Sequence, residues 1–235
     1  METLREQGLV GDDLEEMGMN TKRAFTLIEM MVVMSIMTIL AGLLFPALSR
    51  VHGSARRAEC AGNLRQVGVA LRLYADEHAD SLPVLESPNP YPNGVGAYYK
   101  QLVKGYLGLT GPASPAEGVF TCPSDPTIRR QVSHAFTSFT FSGYEAAPGD
   151  LPRITGKQLG SVRQPSKAVL VGEWTAFFGG SWHPLRTGPD PDAKSVLSFV
   201  DGHANYSRIY WDGMPGSRPS NYEPPAGYDY TWGGE

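Results

Sequence analysis

The sequence KRAFTLIE at residues 22–29, followed by an apolar run that continues to residue 48, decides how this chain is organised. About 20 apolar residues are enough to span the hydrocarbon core of a bilayer as a helix. Glu29 is the one acid in that run, and an uncompensated acid at membrane depth is unfavourable by about 2.5 kcal/mol or more. The segment therefore predicts a membrane-length helix with a functional carboxylate near its start, and Glu29 requires a partner.

The junction before this helix follows a known pattern. Phe25, Thr26, Leu27 and Glu29 match the motif Gly-Phe-Thr-Leu-x-Glu, and the chain resembles type IV prepilins and type II secretion pseudopilins. The departure is Ala24, where that family usually has glycine before the cleaved bond. The resemblance implies that a prepilin peptidase cuts after Ala24 and N-methylates Phe25. It also implies that Glu29 compensates the new amino terminus of a neighbouring subunit during assembly.

An ordinary secretory signal and a plain membrane anchor are the alternatives for this segment. The apolar region of a secretory signal is about 7–15 residues long and ends at a small-residue cleavage site. Residues 27–48 are longer, and no Ala-x-Ala site follows them. A plain anchor fits the length but does not explain Glu29 beside the Ala24–Phe25 junction. We therefore favour the prepilin-type interpretation.

Residues 1–24 form the predicted leader. Basic residues flank the apolar run on both sides, so the positive-inside rule does not orient it. The resemblance implies a single-pass inner-membrane protein with residues before Phe25 in the cytoplasm and a periplasmic head. Initiation at Met19 would give a short basic leader, so residues 1–18 are candidates for sequence that is not translated.

The helix is predicted to continue from the apolar segment, residues 25–48, through residues 49–80. Leu64, Val67 and Leu71 recur at helical spacing with charged residues offset from them, which indicates one buried face. Pro46 should kink the helix or mark where it leaves the apolar phase. Pro83 ends it, because the residue before a proline is disfavoured in helical conformation.

Residues 81–211 form a predicted head that is rich in proline and glycine. A short helix is expected at residues 98–107, and aromatic and β-branched residues predict strands in four segments, residues 136–144, 168–174, 196–200 and 203–211. Residues 212–235 form a tail dense in Pro, Gly and Tyr that is either irregular coil or docked by its aromatic residues. The predicted fold class is α+β and pilin-like, a long N-terminal helix packed on a small antiparallel sheet.

The composition and the missing motifs limit the function classes. The net charge is −4 and 19% of residues are charged, which argues against a strongly basic nucleic-acid-binding surface. Neither Gly-x-Ser-x-Gly nor His-Glu-x-x-His occurs, and these are the motifs of common hydrolases. We predict a protein that is not an enzyme, needs no cofactor and binds no nucleic acid.

Cys60 and Cys122 are the two cysteines of the chain. In an extracytoplasmic domain they are a candidate disulfide, and the alternative is two separate thiols. A bridge would close a loop of about sixty residues, worth about 4 kcal/mol in the chain-entropy model.

Three segments that follow the apolar run carry a second resemblance, which is to pseudopilin-like proteins abundant in planctomycetes. They are RAECAGNLRQ at residues 57–66, CPSD at residues 122–125 and FVDGHA at residues 199–204. The last looks like the hairpin of the prepilin-associated H-X9-DG domain, with Asp201, Gly202 and His203 at its turn. His183 precedes Asp201 with 17 residues between them, where the named pattern has nine. An insertion around residues 184–192 would account for this displacement, and the role of His183 in the pattern stays open.

A metal site is not predicted. Glu173, His183, Asp201 and His203 are weak candidates, since their ligand types suit zinc or another divalent ion. They are scattered over about thirty residues without tight ligand spacing, and short polar side chains at turns commonly bond to the local backbone.

These observations predict a pilin-like or pseudopilin structural subunit of a type II secretion or type IV pilus-like filament. Its expected partners are a prepilin peptidase, other pilin subunits, the inner-membrane assembly platform and membrane lipid. The alternative is a permanently membrane-anchored extracytoplasmic protein with a binding or metal-dependent role.

Overall fold

The computed structural model describes residues 25–84, 95–142, 153–186, 190, 193–212 and 224–234. The chain forms two compact units, one up to Ala47 and one from Leu48 onward. A single α-helix, α1 (Leu27–Glu77), contributes residues to both. The second unit adds a small antiparallel sheet, so the predicted α+β, pilin-like arrangement is confirmed.

In the first unit, every described residue from 25 to 47 is exposed to solvent. The hydroxyl groups of Ser35 and Thr38 donate to the carbonyls of Met31 and Met34, each at 2.7 Å, so these polar side chains are satisfied within the helix. The helix continues through Pro46. Among the described residues, α1 is the one helix long and apolar enough to cross a membrane.

In the second unit, one face of α1 lies in the core of the head. Leu64, Val67 and Leu71 are fully buried, as their spacing predicted. At Gly68 the sheet comes close, since a Cβ atom there would lie 2.8 Å from Ser198 Oγ. The helix ends at Glu77, three residues before the predicted end, because Ala79 and Asp80 have left-handed backbone conformations.

The sheet of the head has four strands in the order β1-β2-β5-β6, and all its pairings are antiparallel. They are β1 (Phe139–Phe141), β2 (Val169–Glu173), β5 (Lys194–Phe199) and β6 (Ala204–Arg208). Each lies largely or wholly within one of the four predicted strand segments. A separate hairpin pairs β3 (Ser181–Trp182) with β4 (Leu185–Arg186), and a short helix, α2 (Val95–Val103), continues into a 3-10 turn, Lys104–Leu107.

Among the described residues, two hydrophobic clusters hold the head together. The larger cluster includes the buried face of α1 together with residues of α2, β1 and β2. In the smaller cluster, Tyr230 and Trp232 of the tail pack with residues of β2 and β5. Thr231 fixes the tail to the start of β2, since Val169 N–H donates to Thr231 O at 2.9 Å and Thr231 N–H to Lys167 O at 2.8 Å. This part of the tail is therefore docked, while Tyr222 lies outside the described residues.

Candidate functional site

The start of α1 is a reciprocal cap made by Thr26 and Glu29. Thr26 precedes the first helical residue, and its backbone N–H and hydroxyl donate to Glu29 Oε2 at 2.8 and 2.6 Å. The Glu29 N–H donates to Thr26 Oγ1 at 3.3 Å. This is a capping box, which satisfies backbone donors that a helix start leaves free. The Thr-x-x-Glu spacing carries this signal in the sequence, and our sequence analysis missed it.

The surface beside this cap is apolar. A shallow cavity of about 320 Å³ is lined by Phe25, which precedes α1, and by Ile28, Glu29, Val32 and Val33 of α1. The Phe25 side chain is 71% exposed. Ala24, the other residue of the predicted processing site, lies outside the described residues.

A second candidate site lies in the head, where Cys60, Cys122, Glu173 and His183 meet. All four residues are buried, and their candidate ligand atoms lie within 4.8 Å of one another. Cys60 Sγ donates to Glu173 Oε1 at 2.9 Å, and His183 Nε2 lies 2.9 Å from the same oxygen. Cys122 Sγ lies 3.4 Å from His183 Nε2. The structure thus places the two cysteines next to Glu173 and His183, which are two of the four weak metal candidates.

The two sulfur atoms are free thiols in the structure, and the Cys60–Cys122 disulfide stays a prediction. Burial raises the pKa of Cys60, and its neighbours Cys122 and Glu173 raise it further. For His183, burial works to lower the pKa, but hydrogen bonds with Cys122 and Glu173 outweigh it and raise the pKa to about 9. Burial works to raise the pKa of Cys122, but hydrogen bonds with Cys60 and His183 hold it below the usual value. These shifts favour a protonated imidazole beside Cys122.

Asp201 and His203, the other two weak metal candidates, lie elsewhere. They belong to the turn between β5 and β6, where Gly202 has a φ of 97°. Asp201 Oδ1 accepts hydrogen bonds from the backbone N–H of His203 at 3.1 Å and contacts its Nδ1 at 2.6 Å. The His203 ring stacks on Phe199 at 4.3 Å between centroids. These contacts are local, and they give Asp201, Gly202 and His203 a role in shaping the hairpin.

The turn that carries Cys122 is fixed by Asp125. The buried Asp125 carboxylate accepts hydrogen bonds from the N–H groups of residues 127, 128 and 129 at 2.7–2.9 Å. It also accepts one from Ser138 Oγ at 2.7 Å. On the other side, the Asn63 amide of α1 donates to Thr121 O at 2.9 Å. The CPSD segment therefore positions Cys122 against the helix.

A buried ion cluster that the sequence analysis did not predict lies near α2. Glu117 Oε2 is 2.8 Å from Lys100 Nζ, and Oε1 contacts Lys104 Nζ. Lys100 Nζ also donates to Ala135 O at 2.7 Å. Burial lowers the pKa of Lys100 against the opposing effect of Glu117. For Glu117, burial favours a higher pKa, but the hydrogen bonds from both lysines outweigh it and lower the pKa. The cluster is internally paired, which indicates a structural role.

Residues 19–45 match the prokaryotic N-terminal methylation motif in a comparison with known protein families. No curated protein and no solved structure matches the chain. Together with the apolar helix α1, the motif supports a prepilin-type precursor, a membrane-anchored substrate of a prepilin peptidase. The match does not reach residues 57–66, 122–125 or 199–204, so the resemblances to the planctomycete proteins and to the H-X9-DG domain stay predictions.

Proposed function

We propose that this chain is a pilin-like or pseudopilin subunit that is cleaved after Ala24, N-methylated at Phe25 and assembled into a type II secretion or type IV pilus-like filament. In this proposal residues 25–48 hold the subunit in the inner membrane and later form the filament core. Residues 49–80 are the spine of a periplasmic head, residues 81–211 are the rest of the head, and residues 212–235 are its tail. The partners are the peptidase, the assembly platform, membrane lipid and other subunits.

The observation that carries the proposal is the exposed apolar surface of residues 25–47, nearly all of which lie within the matched methylation motif. The side chains of residues 25–47 are exposed throughout, and many are large and apolar, such as Leu27, Leu43 and Phe45 at 77, 71 and 81% exposure. A contiguous surface of this kind requires lipid or protein to cover it. Lipid covers it in a stored subunit and neighbouring helices cover it in a filament.

The lipid or protein that covers this surface must also supply a partner for Glu29. Thr26 supplies hydrogen bonds to Glu29 Oε2, but these donors are neutral and leave the negative charge of the carboxylate uncompensated. In an apolar surrounding such a charge needs a cation close by. An N-methylated Phe25 amino terminus of a neighbouring subunit is a cation of suitable size, since methylation of an amine keeps its positive charge. The capping box would then hold Glu29 in place for that neighbour.

The first test is the mass and the N-terminal peptide of the protein from native membranes. The expected result is a mature chain that begins at Phe25 and carries one methyl group on its amino terminus. A chain that is still joined to residues before Phe25 would contradict the proposal and would favour the permanent membrane anchor.

The second test separates the charge of Glu29 from its role as a cap. Glu29→Gln keeps a side-chain oxygen that can accept from Thr26 but removes the charge, whereas Thr26→Ala keeps the charge and removes half of the cap. Loss of a threonine cap costs about 0.5–2 kcal/mol of helix stability. We expect Glu29→Gln to be cleaved normally but to be lost from sheared filaments, and Thr26→Ala to remain in them.

Ser35→Ala is the matched control, because Ser35 bonds only within the same helix in the structure. If Glu29→Gln enters filaments as well as the wild type while Thr26→Ala does not, Glu29 acts as a helix cap and the charge-pairing role is wrong.

A further inference from the structure

We infer that Cys60, Cys122, Glu173 and His183 form a structural site for one zinc-like divalent metal ion inside the head. This inference concerns the second unit alone and does not depend on filament assembly. A metal here would join the long helix, the CPSD turn and the sheet at one point.

The first argument is convergence. Cys60 lies on α1, Cys122 follows the 3-10 turn at Gly118–Phe120, Glu173 ends β2 and His183 follows β3. Residues that are 10 to 123 positions apart in the sequence thus place four metal-binding atoms within 4.8 Å of one another. Cys60, Cys122 and Glu173 have no exposed surface, and His183 is 6% exposed. A buried carboxylate is uncommon unless it is paired or binds a metal.

The second argument is ligand type and distance. Two thiolates, one imidazole and one carboxylate are a suitable set for zinc, which binds sulfur at about 2.3 Å and nitrogen or oxygen at about 2.0–2.1 Å. In a tetrahedron with those bonds, neighbouring ligand atoms lie about 3.3–3.8 Å apart. In the structure the candidate ligand atoms lie from 2.9 Å to at most 4.8 Å apart. Side-chain shifts of about 1 Å or less would therefore place all four atoms around one ion. Calcium and magnesium prefer oxygen ligands and fit this set poorly.

The third argument is the surroundings of the ligands. Glu173 Oε2 accepts a hydrogen bond from Val196 N–H at 2.9 Å, which turns the other oxygen, Oε1, toward the cysteines and His183. The His183 backbone N–H donates to Ser181 Oγ at 2.9 Å. Asp125 fixes the turn that carries Cys122. Ligands held by such outer contacts are typical of metal sites.

Access and charge also suit a metal ion. His183 lines a cavity of about 560 Å³ that Arg50, Arg56 and Arg57 also line. Two thiolates and one carboxylate carry three negative charges, so a bound divalent ion would leave one negative charge in the site. The arginines on the cavity wall would offset that remaining charge. Four protein ligands would occupy all coordination positions of a tetrahedral ion and leave none for water or substrate, which indicates a structural site and not a catalytic one.

A Cys60–Cys122 disulfide is the competing explanation for the two sulfur atoms, because oxidising compartments favour it. It would account for two of the four residues and would leave Glu173 and His183 as an ion pair beside the bridge. The metal accounts for all four.

The test uses the full chain in detergent, reduced and stripped of metal by a chelator. Cobalt(II) is added as a spectroscopic probe and is then displaced by zinc. We expect one cobalt ion per chain, a thiolate-to-cobalt charge-transfer band, the visible spectrum of a four-coordinate ion, and loss of both on zinc addition. His183→Gln should weaken binding at least about tenfold. The matched control, His203→Gln, should leave it unchanged, because His203 lies in the β5–β6 turn.

Cysteine variants test the sulfur ligands, and Cys122→Ser and Cys60→Ser should each abolish the charge-transfer band or reduce it by about half. Thermal unfolding of the wild type keeps the inference testable if these variants do not fold. Added zinc should raise the Tm of the wild type and of His203→Gln but not of His183→Gln.

Two results would overturn the inference. One is a folded, reduced wild-type chain that takes up no stoichiometric cobalt or zinc. The other is native protein that contains no metal, has a mass two hydrogens lower than the reduced chain and stays metal-free when zinc is added, which would establish the disulfide in place of the metal.

Discussion

The packing of α1 against the sheet makes a quantitative prediction at two leucines of the same helix. Leu71 is fully buried in the larger hydrophobic cluster, whereas Leu73 is 41% exposed. Truncation of a buried leucine to alanine costs about 2–5 kcal/mol, because transfer free energy is lost and a cavity remains. Truncation of an exposed one changes stability by about 0.5 kcal/mol. We therefore expect Leu71→Ala to destabilise the head strongly and Leu73→Ala to have little effect.

Urea unfolding of the full chain in detergent measures this difference. All four tryptophans are buried in the second unit, so their fluorescence reports on the head; they are Trp174, Trp182, Trp211 and Trp232. With a slope of about 2 kcal/mol per M urea, the midpoint of Leu71→Ala should fall by about 1–2.5 M. Equal midpoints for the two variants, with unchanged slopes, would refute the assigned buried face of α1.

Two further predictions use the same unfolding assay. Gly62→Ala should stabilise the head by about 0.5–1 kcal/mol, because alanine favours the helix and a new Cβ there meets nothing within 4 Å. Gly68→Ala should not show this gain in stability, because its Cβ would lie 2.8 Å from Ser198 Oγ. Equal gains at both glycines would contradict the close approach of helix and sheet. Because the folded-state pKa of Glu117 is lowered, the stability it contributes is present above its unfolded pKa of about 4.3 and is lost as pH falls through the folded value. Glu117→Gln should lower the free energy of unfolding at pH 7 by on the order of 3 kcal/mol, since Lys100 stays buried without its counter-charge. The free energy of unfolding of this variant should also fall less between pH 7 and acid pH than that of the wild type. An equal fall in both proteins would contradict the pairing of Glu117 with the lysines.

The elements of the fold could be predicted because their signals are local. Leu64, Val67 and Leu71 repeat at helical spacing, and this repeat alone identifies the buried face of α1. The four sheet strands carry β-branched and aromatic residues over three to six positions. The hairpin of β3 and β4 could not be predicted, since two residues per strand are too few to show any period.

The site in the head could not be predicted for a different reason. Cys60 and Cys122 are 62 positions apart, and Glu173 and His183 follow 51 and 61 positions after Cys122. No local pattern tells which residues of distant elements face the same point, because that depends on strand order and on the rotation of α1 against the sheet. The cap at Glu29 is the opposite case. Thr26 and Glu29 are three positions apart, so their spacing alone could have predicted the cap, although it was missed.

The docked segment at Thr231 has a consequence for the export of the head that we propose. Tyr230 and Trp232 complete the smaller hydrophobic cluster, and Thr231 pairs with the residues that lead into β2. A chain that crosses a membrane from its amino-terminal side delivers residues 230–232 after every strand of the sheet has passed. Under the proposed export of the head, the smaller cluster would therefore stay open until residues 230–232 arrive, and the head should remain sensitive to proteases until then.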